Sequence, residues 1–201
     1  INQKVEEKLK KIAEDLKRKD EFRIKPLLQD LQMEYKEFIN FVNTFEKDYL
    51  ILQDKIIFNP QKIQNAKKNV KQQLKQTSES QAFIHNKKFA TRNKCSIQLV
   101  QNLMQELLEN DEIQGLWIES DVKFLTERGI QQRMLDAKGF IDIHTFIEEI
   151  ETNEQQIRYL EKILTDLIET NELEGVYDDE SQIFQSKDVA GEASLNTERE
   201  R

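Results

Sequence analysis

The chain repeats itself at a period of about sixty residues, and this limits what it can fold into more than any local signal does. Glu106-Leu107-Leu108-Glu109-Asn110-Asp111-Glu112-Ile113-Gln114-Gly115-Leu116-Trp117 lines up with Asp166-Leu167-Ile168-Glu169-Thr170-Asn171-Glu172-Leu173-Glu174-Gly175-Val176-Tyr177. In both copies an apolar helix end runs into a polar turn and then an apolar-polar-Gly-apolar-aromatic strand. A second strand ends near Phe124 and Phe184. A weaker copy lies upstream, with Phe45 to Leu52, the turn Gln53-Asp54, and Lys55-Ile56-Ile57-Phe58. Each copy reads as a helix feeding a two-stranded hairpin.

The segments ahead of these hairpins are also alike. In the last copy Val122, Leu125, Ile130 and Leu135 mark a strand and a helix that Gly139 stops, and Phe140-Ile141-Asp142-Ile143 alternates like a short strand. A short helix from His144 to Ile150 is expected next. Thr152-Asn153-Glu154-Gln155 then supplies a capping-box pattern for a long helix striped by Ile157, Leu160, Leu164, Leu167 and Ile168. Helix, short strand, helix, turn, helix and two-stranded wing is the order of a winged helix. The first copy fits it: Val5, Leu9, Ile12 and Leu16 stripe an opening helix, and Phe22-Arg23-Ile24 is the strand. Pro26 suits a first turn, and Tyr35, Phe38, Ile39, Val42 and Phe45 lie on the third helix. The middle copy opens from Gln61 with Ile63, Val70 and Leu74, and its strand is Gln81-Ala82-Phe83-Ile84. Its second helix is obscured by the polar run from Thr77 to Lys94. The expected fold class is mainly α with small β-hairpin wings (α+β), as three tandem winged-helix modules at 1–60, 61–125 with a basic loop, and 126–185. A disordered tail is expected over 186–201.

Composition narrows the function classes. Charged residues are 34% of the chain and glycine plus proline only 7 of 201, which favours helices over loop-rich sandwiches. There is no apolar run of 18 or more residues and no signal-peptide stretch, so no transmembrane segment is expected. Because it begins at Ile1 without a methionine, the chain reads as a fragment of a longer protein. A single cysteine, Cys95, makes no internal disulfide and fits a reducing, cytoplasmic location.

A formal charge of −8 disfavours a generic nucleic-acid binder. The third helix of the middle copy offers Gln98, Gln101, Asn102, Gln105, Glu106 and Glu109 with no Lys or Arg. That of the last copy offers Glu154, Arg158, Glu161, Lys162, Asp166 and Glu169, and its wing carries Asp178, Asp179 and Glu180. Such surfaces suit solvent or a protein better than phosphates. One stretch departs from this. Lys62, Lys67, Lys68, Lys71, Lys75, Lys87, Lys88, Arg92 and Lys94 are opposed only by Glu79. It reads as a solvated helix face plus a loop, or as a docking patch for an acidic partner or RNA, with Lys67, Lys68 and Lys71 as its centre and Phe83 and Phe89 available for stacking.

Catalytic constellations are sparse. The five glycines stand singly, so no phosphate-cradling loop is present. His85, His144 and Cys95 match no metal-ligand spacing, and neither a metal nor a cofactor is expected. Cys95 has no recognisable His partner and is read as a core residue rather than a nucleophile. Trp117 and Tyr177 occupy equivalent strand positions. Leu116-Trp117-Ile118 is apolar on both faces, which calls for a second cover, either the next module or another chain, with the next module preferred. Trp117, Tyr177, Asp178 and Asp179 are therefore candidate partner-binding residues.

Tandem acidic winged helices of this kind resemble the interaction scaffolds of eukaryote-type complexes: PCI-type winged helices, the ESCRT-II subunits, and the amino-terminal region of the ligase for the ubiquitin-fold modifier. The likeness covers Cys95 to Phe184. Cys95-Ser96-Ile97-Gln98-Leu99-Val100, the wing ending near Phe124, and Gly139-Phe140-Ile141-Asp142-Ile143 are similar to the modifier ligase's stacked modules. Gly175-Val176-Tyr177-Asp178-Asp179 looks like the strand and wing of its DDRGK-domain adaptor, with Glu180-Ser181-Gln182 where that adaptor has Arg-Gly-Lys. The resemblance implies a scaffold-type ligase component without a catalytic cysteine, which holds a loaded conjugating enzyme near its substrate. Its implied partners are a second winged-helix protein, a conjugating enzyme or the modifier. The opening helix from Gln3 to Arg18 is either a docking element or simply the first helix of module one. A nucleic-acid-binding regulator using 62–94, or an ESCRT-II-like trafficking subunit, are the alternative readings.

Overall fold

The computed structural model describes residues 3–16, 18–137 and 139–187. Among them the protein is mixed α+β, with eight helices and nine strands in three antiparallel three-stranded sheets. The chain divides into two compact units: Ile1–Leu74 with Asn86–Glu109, and Lys75–His85 with Asn110–Arg201.

The first unit opens with α1 (Gln3–Leu16), β1 (Glu21–Arg23), α2 (Ile24–Leu31) and α3 (Tyr35–Val42), followed by the hairpin β2 (Leu50–Leu52) and β3 (Lys55–Ile57). The carboxylate of Glu34 and that of Glu37 cap the start of α3 reciprocally, as a capping box requires. Leu9, Ile24, Leu31, Phe38, Val42 and Ile56 form the core, with Val5 and Ile12 packed against it, so α1 is committed to its own unit. Helix α4 (Pro60–Ser80) starts with proline at the first helical position, and the Asn59 side chain accepts from the Lys62 N–H. Its residues to Leu74 belong to this unit, as do α5 (Asn86–Asn93) and α6 (Ile97–Glu109).

The second unit holds the end of α4, β4 (Phe83–His85), β5 (Gly115–Glu119), β6 (Lys123–Thr126), α7 (Glu127–Asp136), β7 (Phe140–Asp142), α8 (Glu154–Glu169), β8 (Gly175–Asp178) and β9 (Ile183–Ser186). Thr126 ends β6 and caps α7: its Oγ1 accepts from the Gly129 N–H and donates to the Gln81 carbonyl at 2.6 Å. Leu160, Ile163, Leu164 and Leu167 bury one face of α8. They share a core with Ile130 and Met134 of α7 and with Leu116, Ile118, Leu125 and Phe184 of two sheets.

All three sheets have one plan. The second hairpin strand is central, the first hairpin strand flanks it on one side, and the earlier short strand flanks it on the other, giving β1-β3-β2, β4-β6-β5 and β7-β9-β8. The sixty-residue repeat is kept in register: Gly115 faces Thr126 and Gly175 faces Ser186, while Trp117 faces Phe124 and Tyr177 faces Phe184. The two glycines are required by space. A Cβ on Gly115 would lie 2.2 Å from the Leu125 carbonyl oxygen, and one on Gly175 would lie 2.2 Å from that of Gln185.

Several local expectations are corrected. The stretch from His144 to Ile150 is a run of turns, because the Asp142 carboxylate accepts from the His144 N–H and the chain folds back there instead of starting a helix. The capping box of α8 sits one residue later than read, on Asn153 and Gln156. The basic stretch is not a loop, since it runs through α4, β4 and α5, and α5 buries Phe89 and Ala90. Val122 lies in the β5–β6 turn, and both it and Leu135 are exposed. Ser186 belongs to β9 and Lys187 is described. The rest of the expected tail, 188–201, falls outside the described residues.

Candidate interaction surfaces

Each sheet has an inner and an outer row of side chains, because successive strand residues point to opposite faces. The central strands put Ile56, Phe124 and Phe184 on the inner row, all buried. The outer rows differ. In the first sheet the row is Glu21, Ile57 and Leu50, of which Glu21 is exposed while Leu50 and Ile57 pair across the hairpin and are both buried. In the second, Phe83, Leu125 and Leu116 form one row, and Leu125 and Leu116 are 0% and 6% exposed because Ile130 and Met134 of α7 pack in the same core. In the third, the equivalent row is Phe140, Gln185 and Val176, with Phe140 61% and Val176 69% exposed. The hairpin pair of this row is therefore covered twice and open once.

This places the four acidic-module candidates. Trp117 lies on the inner row, half-buried, with its ring edge-on to Phe124 at 5.1 Å between centroids. The second cover that its strand required is supplied to Leu116 and Ile118 from within the second unit. Tyr177 also lies on an inner row, half-buried, and its hydroxyl donates to Glu161 at 2.7 Å. Burial and that bond push its phenol well above the usual range. Asp178 and Asp179 are exposed at the tip of the hairpin. Asp178 accepts from the Ser181 hydroxyl at 2.6 Å, which holds its carboxyl below the usual carboxylate range.

Sequence reasoning missed a cluster beside Phe83. The Lys123 ammonium lies 4.4 Å and the Arg133 guanidinium 5.6 Å from the centre of that ring. Arg133 also donates twice to Glu149, at 2.8 and 2.5 Å. Those bonds hold the Glu149 carboxyl down to about 2. A carboxyl whose folded value is depressed adds stability above its ordinary value near 4.5, and that stability is lost as pH falls from there towards 2. The pair is partly exposed, so its contribution is about 1 kcal/mol. Glu149→Gln is expected to lower the urea midpoint at pH 7 and to leave it nearly unchanged at pH 2, read by the fluorescence of Trp117, the single tryptophan. An equal loss at both pH values would show that the ion pair is not its source.

The three basic candidates are not equivalent. Lys71 is engaged by Glu106 at 2.5 Å. Lys67 is half-buried and Lys68 exposed, and neither makes an ion pair among the described residues. Lys75 is paired with Glu112. Charge separates between the units: the first carries 20 Lys and Arg against 14 Asp and Glu, net +6, and the second 10 against 24, net −14. The net charge of the whole chain conceals this.

Cys95 is half-buried, and burial pushes its thiol up, away from the reactive thiolate. Among the described residues no group of three His, Cys, Asp or Glu side chains is placed to hold a metal ion, and no helix is long and apolar enough to cross a membrane. No protein-family model matches the chain, and no curated protein sequence matches it.

Proposed function

We propose that this chain is a protein-interaction scaffold made of three tandem winged-helix modules, acting as a ligase component or adaptor in ubiquitin-like modifier conjugation without a catalytic cysteine. The observation that carries the reading is the open outer row Phe140-Gln185-Val176, whose hairpin pair is covered in the other two sheets. A surface of that kind, with exposed Asp178, Asp179 and Glu180 at the hairpin tip beyond one end of it, suits a partner helix with an apolar stripe and Lys or Arg at one end. The recurrence of helix, short strand, helix, helix and hairpin supports the module assignment in the first two copies. In the third, turns replace the second helix. The pathway rests on the sequence resemblance alone.

The test is a pull-down from the source organism's lysate after nuclease treatment and a high-salt wash, with the chain and its Phe140→Asp/Val176→Asp variant as baits. A ubiquitin-like modifier, its conjugating enzyme or a second winged-helix protein is expected with the parent chain and not with the variant. Recovery of none of these from the parent chain, or equal recovery from both baits, counts against the scaffold reading.

A further inference from the structure

The first unit contains a groove of about 540 Å³ that no carboxylate lines among the described residues. Lys67 of α4 and Lys94 of the α5–α6 turn face into it, together with Tyr35, Ser96, Gln98 and Asn102. Neither lysine makes an ion pair among the described residues, although their neighbours do: Lys62 reaches Asp20 at 3.6 Å and Lys71 reaches Glu106. Lys94 is held at φ 47°, in the left-handed region, by the turn that joins the two helices. A second cavity of about 550 Å³ shares Tyr35, Ile51 and Lys94 with the first, but Glu34 and Asp54 line it, so the part suited to an anion is the first groove alone. Tyr35, the first residue of α3, is 49% exposed at their junction. Beyond the groove, α5 carries Lys87, Lys88 and Arg92, all exposed, and no acidic residue occurs from 86 to 105.

We infer that this groove binds single-stranded nucleic acid, with Lys67 and Lys94 on successive phosphates, the ring of Tyr35 under a base, and the Gln98–Asn102 amide pair at the base edge. Two observations favour this occupant over an acidic peptide. The groove brings two lysines and an exposed aromatic side chain to one surface, and strand-tracking sites combine electrostatics with stacking in this way. Gln98 donates to Asn102 at 2.8 Å and leaves amide donors and acceptors on both residues that a carboxylate does not need but a base edge does. The repulsion expected from the acids of α6 does not reach the groove. Glu106 is neutralised by Lys71, and Glu109 lies seven residues beyond Asn102, the last groove residue on that helix, about 10 Å along a helix and outside the Debye length at physiological salt. The site is independent of the scaffold surface, which uses other residues.

The experiment is fluorescence anisotropy of a labelled twelve-nucleotide oligouridylate with the whole chain at 50 and 200 mM KCl. Binding is expected, and it should weaken about sevenfold across that salt range if two phosphates are neutralised. Lys67→Ala/Lys94→Ala is expected to weaken binding at least tenfold, and Tyr35→Ala about tenfold, with Tyr35→Phe close to the parent. These side chains lie outside the core, and thermal melts confirm that the variants are folded. The proposal is overturned by no binding at 50 mM KCl, or by equal binding of the double variant. It is also overturned if Lys87→Ala/Lys88→Ala alone removes binding, which would mark a diffuse basic surface. Displacement by oligoglutamate as effective as by unlabelled oligouridylate would assign the groove to acidic peptides instead. None of these outcomes bears on Phe140 and Val176.

Discussion

Gly115→Ala is expected to destabilise the second unit by about 3 kcal/mol, at the upper end of the cost of overpacking. The new methyl would sit 2.2 Å from the Leu125 carbonyl oxygen and 2.7 Å from the Phe124 ring, at a φ of 156°. Neither neighbour can yield cheaply. The carbonyl belongs to the central strand, and Phe124 is fully buried with Trp117 against it. If β5 moves away, the pairing of Gly115 with Thr126 goes with it, and Thr126 caps α7. Gly175→Ala meets the Gln185 carbonyl and the Phe184 ring in the same way, so a similar loss is expected there. Urea unfolding followed by Trp117 fluorescence measures the first and circular dichroism the second. A loss below about 1 kcal/mol at both positions would mean that the strands relax freely, against the close-approach argument.

The second large effect is a contrast between outer rows. Leu125→Gln is expected to cost about 4 kcal/mol, since it removes a fully buried side chain from the core shared with α7 and leaves an amide there without water. The mirror change at the equivalent position, Gln185→Leu, is expected to stay within about 0.5 kcal/mol, because that row is open. Equal costs at the two positions would mean that the two faces are covered alike, and the docking argument would lose its basis. Reduced solubility of Gln185→Leu would agree with an enlarged apolar patch.

Much of this architecture was legible because the chain writes it twice. The spacing from Gly115 to Gly175 placed both hairpins, and the apolar stripe from Ile157 to Ile168 placed α8. Three features were not legible, each for a physical reason. The Asp142 side chain diverts the chain after β7, and an apolar pattern of the same period as a helix conceals that turn. The α5 helix was hidden because six of its eight residues are polar or charged, and its buried stripe of Asn86, Phe89, Ala90 and Asn93 begins and ends on asparagine, so it does not show as an apolar pattern. The candidate surfaces were hardest. Val176 and Leu116 look the same in sequence, and only the presence of α7 over one of them separates a covered face from an open one. Similarly, a net charge of −8 conceals a unit at +6, since summation over the chain erases where the charges lie.

In all three sheets the central strand is the last of the three to be synthesised. The two flanking strands have no hydrogen-bonding partner in each other, so neither can settle until the third emerges from the ribosome. For β4 that wait runs from His85 to Lys123. The helices between can form at once from local contacts, whereas each sheet closes in a single late step. A nascent chain paused ahead of β6 or β9 would therefore hold two unpaired ribbons, and the final few residues of each hairpin decide when that stretch becomes safe from aggregation.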